Sequence, residues 1–332
     1  MAKKIRTAVI GVGHFGRLHA TKFHELEEAE LVAVVDVDEE RASAVAKELG
    51  TTPYTDYRKL AGMVDAVSIV TPTITHYRIA RFFLSKGVDV LIEKPMTANP
   101  TEAAKLIKEA EKRGVVLQVG LLERFNPAVK LMREKVKAPL FIESHRLSPF
   151  SSRALDTDVI YDLMIHDIDI VLSLVDSDVE MVDAVGVPVM SGKIDIASAR
   201  LRFKTGCVAN ITASRVSREK QRRIRVFQPC TYLSIDYDTQ RATIMHLKQG
   251  GDRPTLEKES PRIKKGDPLM EEIKAFLEAS RKRLPPQVPG SEGKRALEVA
   301  KKIKSSIRLS IEKARDQLEG VLDLSQVFAG VD

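Results

Sequence analysis

Nowhere in the 332 residues do about 18 apolar side chains run together, so no membrane-spanning helix is expected. Cysteine is scarce. Cys207 and Cys230 are two thiols in a large chain, which excludes a disulfide scaffold, and both read as reduced, buried and structural. The apolar run that follows Lys3, Lys4 and Arg6 covers only residues 7–12 and ends in glycines, too short for a secretory segment. A cytoplasmic location is the expectation. Aromatic residues make up 5% of the chain, and the densest basic stretch, residues 215–225, has none interleaved. A stacking platform for nucleic acid needs them, so nucleic-acid binding is not expected. The net charge of +7 then fits a solvated surface or a phosphate-bearing small molecule. No internal repeat or low-complexity tract is present. The seven histidines lack ligand-type clustering with Cys or Asp/Glu, so no metal site is expected.

What is present is a globular composition, 43% hydrophobic and 30% charged, in a chain long enough for two domains. Short β-branched runs at 5–10, 31–35, 66–70, 88–92 and 115–119 alternate with helical patterns at 14–25, 39–49, 75–86 and 100–113. That alternation predicts βαβ units and a parallel sheet over residues 1–122. Beyond it, a helix at 127–135 and a strand at 140–145 precede a polar loop. Runs of period-two alternation follow at 181–189, 194–203, 208–216, 223–227, 232–236 and 242–247, which read as an antiparallel meander. Two amphipathic helices, at 270–283 and 291–314, close a second α/β domain spanning 123–332. These last helices are placed either within it or back against the first domain.

The first strand runs into Gly11-Val-Gly13-His14-Phe15-Gly16 and then a helix, the context a dinucleotide loop requires. Gly11 permits the turn, Gly13 lets backbone approach a pyrophosphate, and Gly16 allows close helix packing. The helix N-terminus supplies free N–H groups for phosphate. Asp36, 20 residues after Gly16, ends the second strand where a carboxylate takes ribose hydroxyls. It would repel a 2′-phosphate, so NAD is favoured, with NADP the alternative because Arg41 is near. Thr71 and Pro72 follow the fourth strand at the ligand-binding edge, and His76 opens the next helix beside them. The fifth strand ends in Glu93-Lys94-Pro95, which places a cation beside the nicotinamide.

Residues 162–169 hold the most pointed chemistry. At 100° per residue Asp162, His166 and Asp169 fall within about 60° of one another on a helix otherwise apolar nearly all round. Such a helix is buried, and a polar stripe on it must face something wet, charged or reactive.

Together, the GVGHFG loop, EKP at 93–95, DLMIHDID at 162–169 and the closing PPQVPGSEGKRALEVA segment resemble the Gfo/Idh/MocA oxidoreductases over nearly the whole chain. The resemblance implies an N-terminal Rossmann domain with a parallel sheet. It also implies a C-terminal α/β domain with an open, mostly antiparallel sheet that pairs copies into a homodimer or homotetramer. The family's catalytic Lys–Asp–His group maps onto Lys94, Asp162 and His166, with Asp169 in support. Hydride would pass between a secondary alcohol and nicotinamide, and the formal base is either Lys94 or His166. Arg124, Asn126, Arg146, Arg153 and Asp169 are candidate substrate residues, the arginines suited to a polyol bearing phosphate. The ERFNP segment and the Ser/Arg loop at 145–158 also resemble relatives that oxidise UDP-N-acetylhexosamines at C3. An inositol or free-polyol dehydrogenase is the alternative enzyme, and a non-catalytic NAD-binding sensor the alternative from another class.

Overall fold

A computed structural model describes residues 4–151, 157–248 and 254–318. The chain divides into two compact units, 1–125 with 267–295, and 126–266 with 296–332.

In the first unit, β1 (Ile5–Ile10), α1 (His14–Glu25), β2 (Ala29–Val35), α2 (Glu39–Leu49) and β3 (Thr52–Tyr54) form one half of an α/β sheet. The other half is β4 (Ala66–Ile69), α3 (Thr73–Ser85), β5 (Asp89–Glu93), α4 (Pro100–Arg113) and β6 (Leu117–Gly120). The strands are all parallel in the order β3-β2-β1-β4-β5-β6, the doubly wound arrangement whose direction of growth reverses beside β1. Alternation along each strand feeds two cores. Ala8, Ile10, Ala33, Val35, Val90 and Ile92 enter one with Phe83, Leu84 and Leu106. Val9, Val34 and Leu91 enter the other with Phe23 and Val45. That second core is completed by a helix from far along the chain. Its Leu269, Ile273, Phe276 and Leu277 pack there, and the helix spans Pro268–Lys282.

The second unit begins with α5 (Pro127–Lys135) and β7 (Phe141–Leu147). A π-helical turn at Ile160–Met164 leads directly into α6 (Ile165–Leu174). The strands β8 (Val179–Val187), β9 (Ile196–Phe203), β10 (Val208–Ser214), β11 (Gln221–Gln228), β12 (Thr231–Asp236), β13 (Arg241–Lys248) and β14 (Thr255–Glu259) follow. The helix at Pro268–Lys282 is α7, and α8 (Gly290–Leu318) starts in the first unit and continues in the second.

This sheet is not the simple meander expected from sequence. β7 inserts between β11 and β10, and its pairing with β10 is parallel while every other ladder is antiparallel. One face carries Ile142, Leu201, Ile211, Ile224, Val226 and Leu233 against α5, α6 and the later turns of α8. The opposite face is polar, with Glu143, His145, Arg200, Asn210 and Thr212 around a shallow cavity.

Cys207 is buried, and burial pushes its thiol up to about 11. Cys230 is exposed in the β11–β12 turn, where its φ is 56°, so the expectation of a buried residue fails there. No described helix is long and apolar enough to cross a membrane.

Candidate active site

The loop after β1 is built by two glycines for steric reasons and by a third for none the chain supplies. Gly11 has φ +86°, and a Cβ there would lie 2.5 Å from the Val70 carbonyl oxygen. A Cβ on Gly16 would overlap the Gly11 carbonyl. By contrast, a Cβ on Gly13 would meet nothing within 4 Å. Gly13 is also the N-cap of α1 and makes no side-chain cap, so the first-turn N–H groups of α1 receive none. An open space in front of an uncapped helix start suits an anion from outside the chain.

Asp36, buried at the end of β2, accepts the Val12 N–H at 2.9 Å and the Asp38 N–H at 3.1 Å. Arg41 lies 3.2 Å from it and 2.9 Å from Asp38, so this cation is held by two acids. Sequence reasoning passed over two neighbours at the same sheet edge. Val37 and Ile74 are 92% and 83% exposed, large apolar side chains left bare beside Asp36 and Thr71. Thr71 is half-buried and Pro72 exposed, and the Thr75 hydroxyl donates to the Thr71 hydroxyl at 2.8 Å. His14 is exposed, while half-buried Phe15 meets His19 edge-on at 5.0 Å.

His76 is buried, with its two ring nitrogens 3.0 Å from the Pro95 carbonyl and 2.7 Å from the Thr71 carbonyl. Burial lowers its pKa against the pull of those carbonyls. This engagement ties two loops together rather than presenting the ring outward.

Lys94 is half-buried after β5, and its peptide bond to Pro95 is cis. Its backbone N–H donates to Glu93 Oε2 at 3.1 Å. Glu93 Oε1 lies 3.4 Å from His19 Nε2, and His19 Nδ1 lies 2.9 Å from the Ser68 hydroxyl. Gly120, paired with Glu93 across β5 and β6, leaves room for that carboxylate, which a Cβ would strike. Glu272 of α7 joins them, and one ligand-type atom from each of His19, Glu93 and Glu272 lies within 4.8 Å of the others. The sequence showed no such clustering.

Arg124, expected to meet substrate, is buried and paired with Glu292 in the first turn of α8.

In the second unit Asp162 is half-buried within the π turn, and His166 and Asp169 are buried. The expected regular helix is thus preceded by a wider turn, closed by the Ile165 N–H donating to the Ile160 carbonyl. Such π turns recur at functional sites. Asp167, missed beside His166, is fully buried; Arg146 donates to it at 2.5 Å and the Ser144 hydroxyl at 2.7 Å. Arg146 also lies over the Tyr237 ring at 5.5 Å. Asn126 caps α5 through the Ala128 N–H and donates to the Tyr237 carbonyl, both at 3.1 Å. Arg146 and Asn126, expected as substrate ligands, are therefore engaged inside the unit. Arg153 lies outside the described residues.

Residues 5–121 match the family model for an oxidoreductase family with an NAD-binding Rossmann fold. Residues 137–228 match the GFO/IDH/MocA C-terminal domain. The UDP-N-acetylglucosamine 3-dehydrogenase of Acidithiobacillus ferrooxidans is 40% identical over 312 residues, 93% of this chain and 99% of that protein. A solved structure of that enzyme matches with a TM-score of 0.88 over 92% of this chain and 98% of that one. The myo-inositol 2-dehydrogenase of Thermotoga maritima is 28% identical over 337 residues, 96% of this chain and all of that protein. With two domain models matched in chain order and a relative aligned nearly end to end, this chain belongs to the GFO/IDH/MocA family of NAD-binding oxidoreductases.

Proposed function

We propose that the chain oxidises a secondary alcohol of a nucleotide sugar with NAD, and that UDP-N-acetylglucosamine, oxidised at C3, is its substrate. The observation that carries this reading is the 40% identity to a UDP-N-acetylglucosamine 3-dehydrogenase over 99% of that protein's length. The bound nicotinamide supplies the hydride acceptor. The pyrophosphate is held by the uncapped start of α1 in the space before Gly13, with His14 and Phe15 beside it. Asp36 accepts hydrogen bonds from the adenosine ribose, Val37 and Ile74 cover the adenine, and Thr71 and Pro72 line the same edge. Glu93 fixes the backbone of Lys94, and His76 holds the loops that flank it.

Lys94, Asp162 and His166 handle the proton. Lys94 stabilises negative charge developing on the reacting oxygen, and His166 exchanges the proton with Asp162 setting the ring. Asp169 supports that helix. The Arg146–Asp167 pair and Asn126 keep the second unit's framework in place. Asp36 is held by two N–H groups, and Arg41 is already paired, which favours NAD over NADP.

Steady-state turnover of UDP-N-acetylglucosamine, inositols and free hexoses, each with NAD and NADP, tests both choices. Turnover is expected with the UDP-sugar, with NAD preferred by about tenfold in kcat/KM, a difference of ~1.4 kcal/mol. The full-length inositol dehydrogenase relative supports the second reading. Inositol turnover without UDP-sugar turnover would establish it.

The enzyme is placed in the cytoplasm, as a homodimer or homotetramer associating through the eight-stranded sheet. The exposed Met181, Val185 and Val187 along β8 favour that surface. Sedimentation equilibrium is expected to give two or four copies per particle, and a monomer at micromolar concentration would remove the oligomer.

A further inference from the structure

Behind Lys94, inside the first unit, lies a group of ionisable side chains that hydride transfer does not use. Glu272 is fully buried on α7, and neither of its carboxyl oxygens has a hydrogen-bond partner. Its backbone carbonyl is tied down, accepting from Gln118 of β6 at 3.1 Å. Glu93 Oε2 takes the Lys94 N–H, whereas Glu93 Oε1 has only His19 Nε2 nearby at 3.4 Å. Two carboxylates this close in a buried setting do not both ionise, because Glu272 has no donor to offset its desolvation and Glu93 has the Lys94 N–H alone. One proton between them resolves the conflict. Burial first, and the charge of Glu93 second, hold Glu272 well above the usual carboxylate range, so the proton resides there.

We propose that Glu272 is a positioning residue for Lys94: as a neutral carboxylic acid it donates to the Glu93 carboxylate, which, braced by His19, fixes the Lys94 backbone. One ligand-type atom from each of the three residues lies within 4.8 Å of the others, a separation that a single bridging water spans. Gly120 independently shows that the place of the Glu93 carboxylate is built in, since any side chain there would displace it. The inference deepens the proposed function, because it rests on Lys94 acting at the reacting oxygen.

The test uses the full chain. In E272A, kcat should fall about 10- to 100-fold with KM for NAD changed less than about threefold, and E272Q, which can still donate, should recover most of the loss. The infrared spectrum at neutral pH should carry a protonated-carboxyl stretch that E272Q removes. If E272A does not fold, G120A shifts the same carboxylate from the other side and should reproduce the kcat loss. Wild-type kcat in a folded E272A, or absence of that band, overturns the proposal. Stoichiometric zinc in the purified protein, lost in E272Q, would also overturn it by making the cluster a cation site. Failure of the Lys94 assignment is distinguishable: K94M would then keep its activity while the Glu272 band persists.

Discussion

Lys94→Met should lower kcat by about a thousandfold while the Kd for NADH stays within about threefold of the wild type. Methionine keeps much of the lysine stem and removes the ammonium, so the substitution takes away charge rather than packing. The surrounding geometry gives no reason for the cofactor site to collapse. Glu93 is bound to the backbone N–H of residue 94, which methionine retains. The dinucleotide loop is shaped by Gly11 and Gly16 against Val70 and each other, without Lys94. A thousandfold loss corresponds to ~4 kcal/mol of transition-state stabilisation, within the range for an oriented group acting on developing negative charge. Stopped-flow single turnover separates the chemical step from cofactor release, and fluorescence titration gives the Kd. A kcat within threefold of wild type would remove Lys94 from the reaction. His166→Ala should show a loss of about 10²- to 10⁴-fold with NADH binding again retained.

Asp167→Ala should destabilise the second unit by about 3–5 kcal/mol, although the residue is not assigned to the chemistry. Arg146 and Asp167 are both almost fully buried, and their contact is 2.5 Å long. Removing the carboxylate takes the charged acceptor from a nearly buried guanidinium and from the Ser144 hydroxyl. The Lys204–Asp178 pair supplies the contrast: at 2.8 Å it is well made, but its side chains are 65% and 70% exposed. Asp178→Ala should leave the urea midpoint almost unchanged, because water and salt already screen that pair. Urea denaturation of the two variants measures the difference directly. A loss below about 1 kcal/mol in the Asp167 variant would mean that Arg146 finds other compensation.

The residues that sequence patterning located share one property: their meaning is local. The bounds of α1, α2, α4 and α5 follow from periodic apolar faces punctuated by glycine, proline and capping side chains such as Asp38, Asn99 and Asn126. β3 escaped because it has three residues with Pro53 in the middle, and β14 because all five of its residues are exposed and charge-rich. The insertion of β7 between β10 and β11 depends on partners 67 to 86 positions away, which no window of alternation contains.

The candidate site divides in the same manner. The glycine loop, Asp36, the Glu93-Lys94-Pro95 turn and the Asp162/His166/Asp169 stripe were each visible within a few residues. Asp167 was equally visible but lay off the stripe. A fourth charge on an otherwise apolar helix was itself the sign that something buried must neutralise it. Glu272 gave the same sign, since it shares a helix face with Leu269, Ile273 and Phe276. With His19 and Glu93 it spans more than 250 positions of the chain. Only the folded chain shows them together.

That the first unit needs α7 has a consequence for its biosynthesis. When residue 125 leaves the ribosome, every strand of the parallel sheet exists, yet the face that will receive Ile273 and Phe276 is bare. At ~5–20 residues per second the covering helix arrives roughly 10–30 s later, after the whole eight-stranded sheet has been made. Any sheet formed in that interval has this apolar face uncovered until α7 is made.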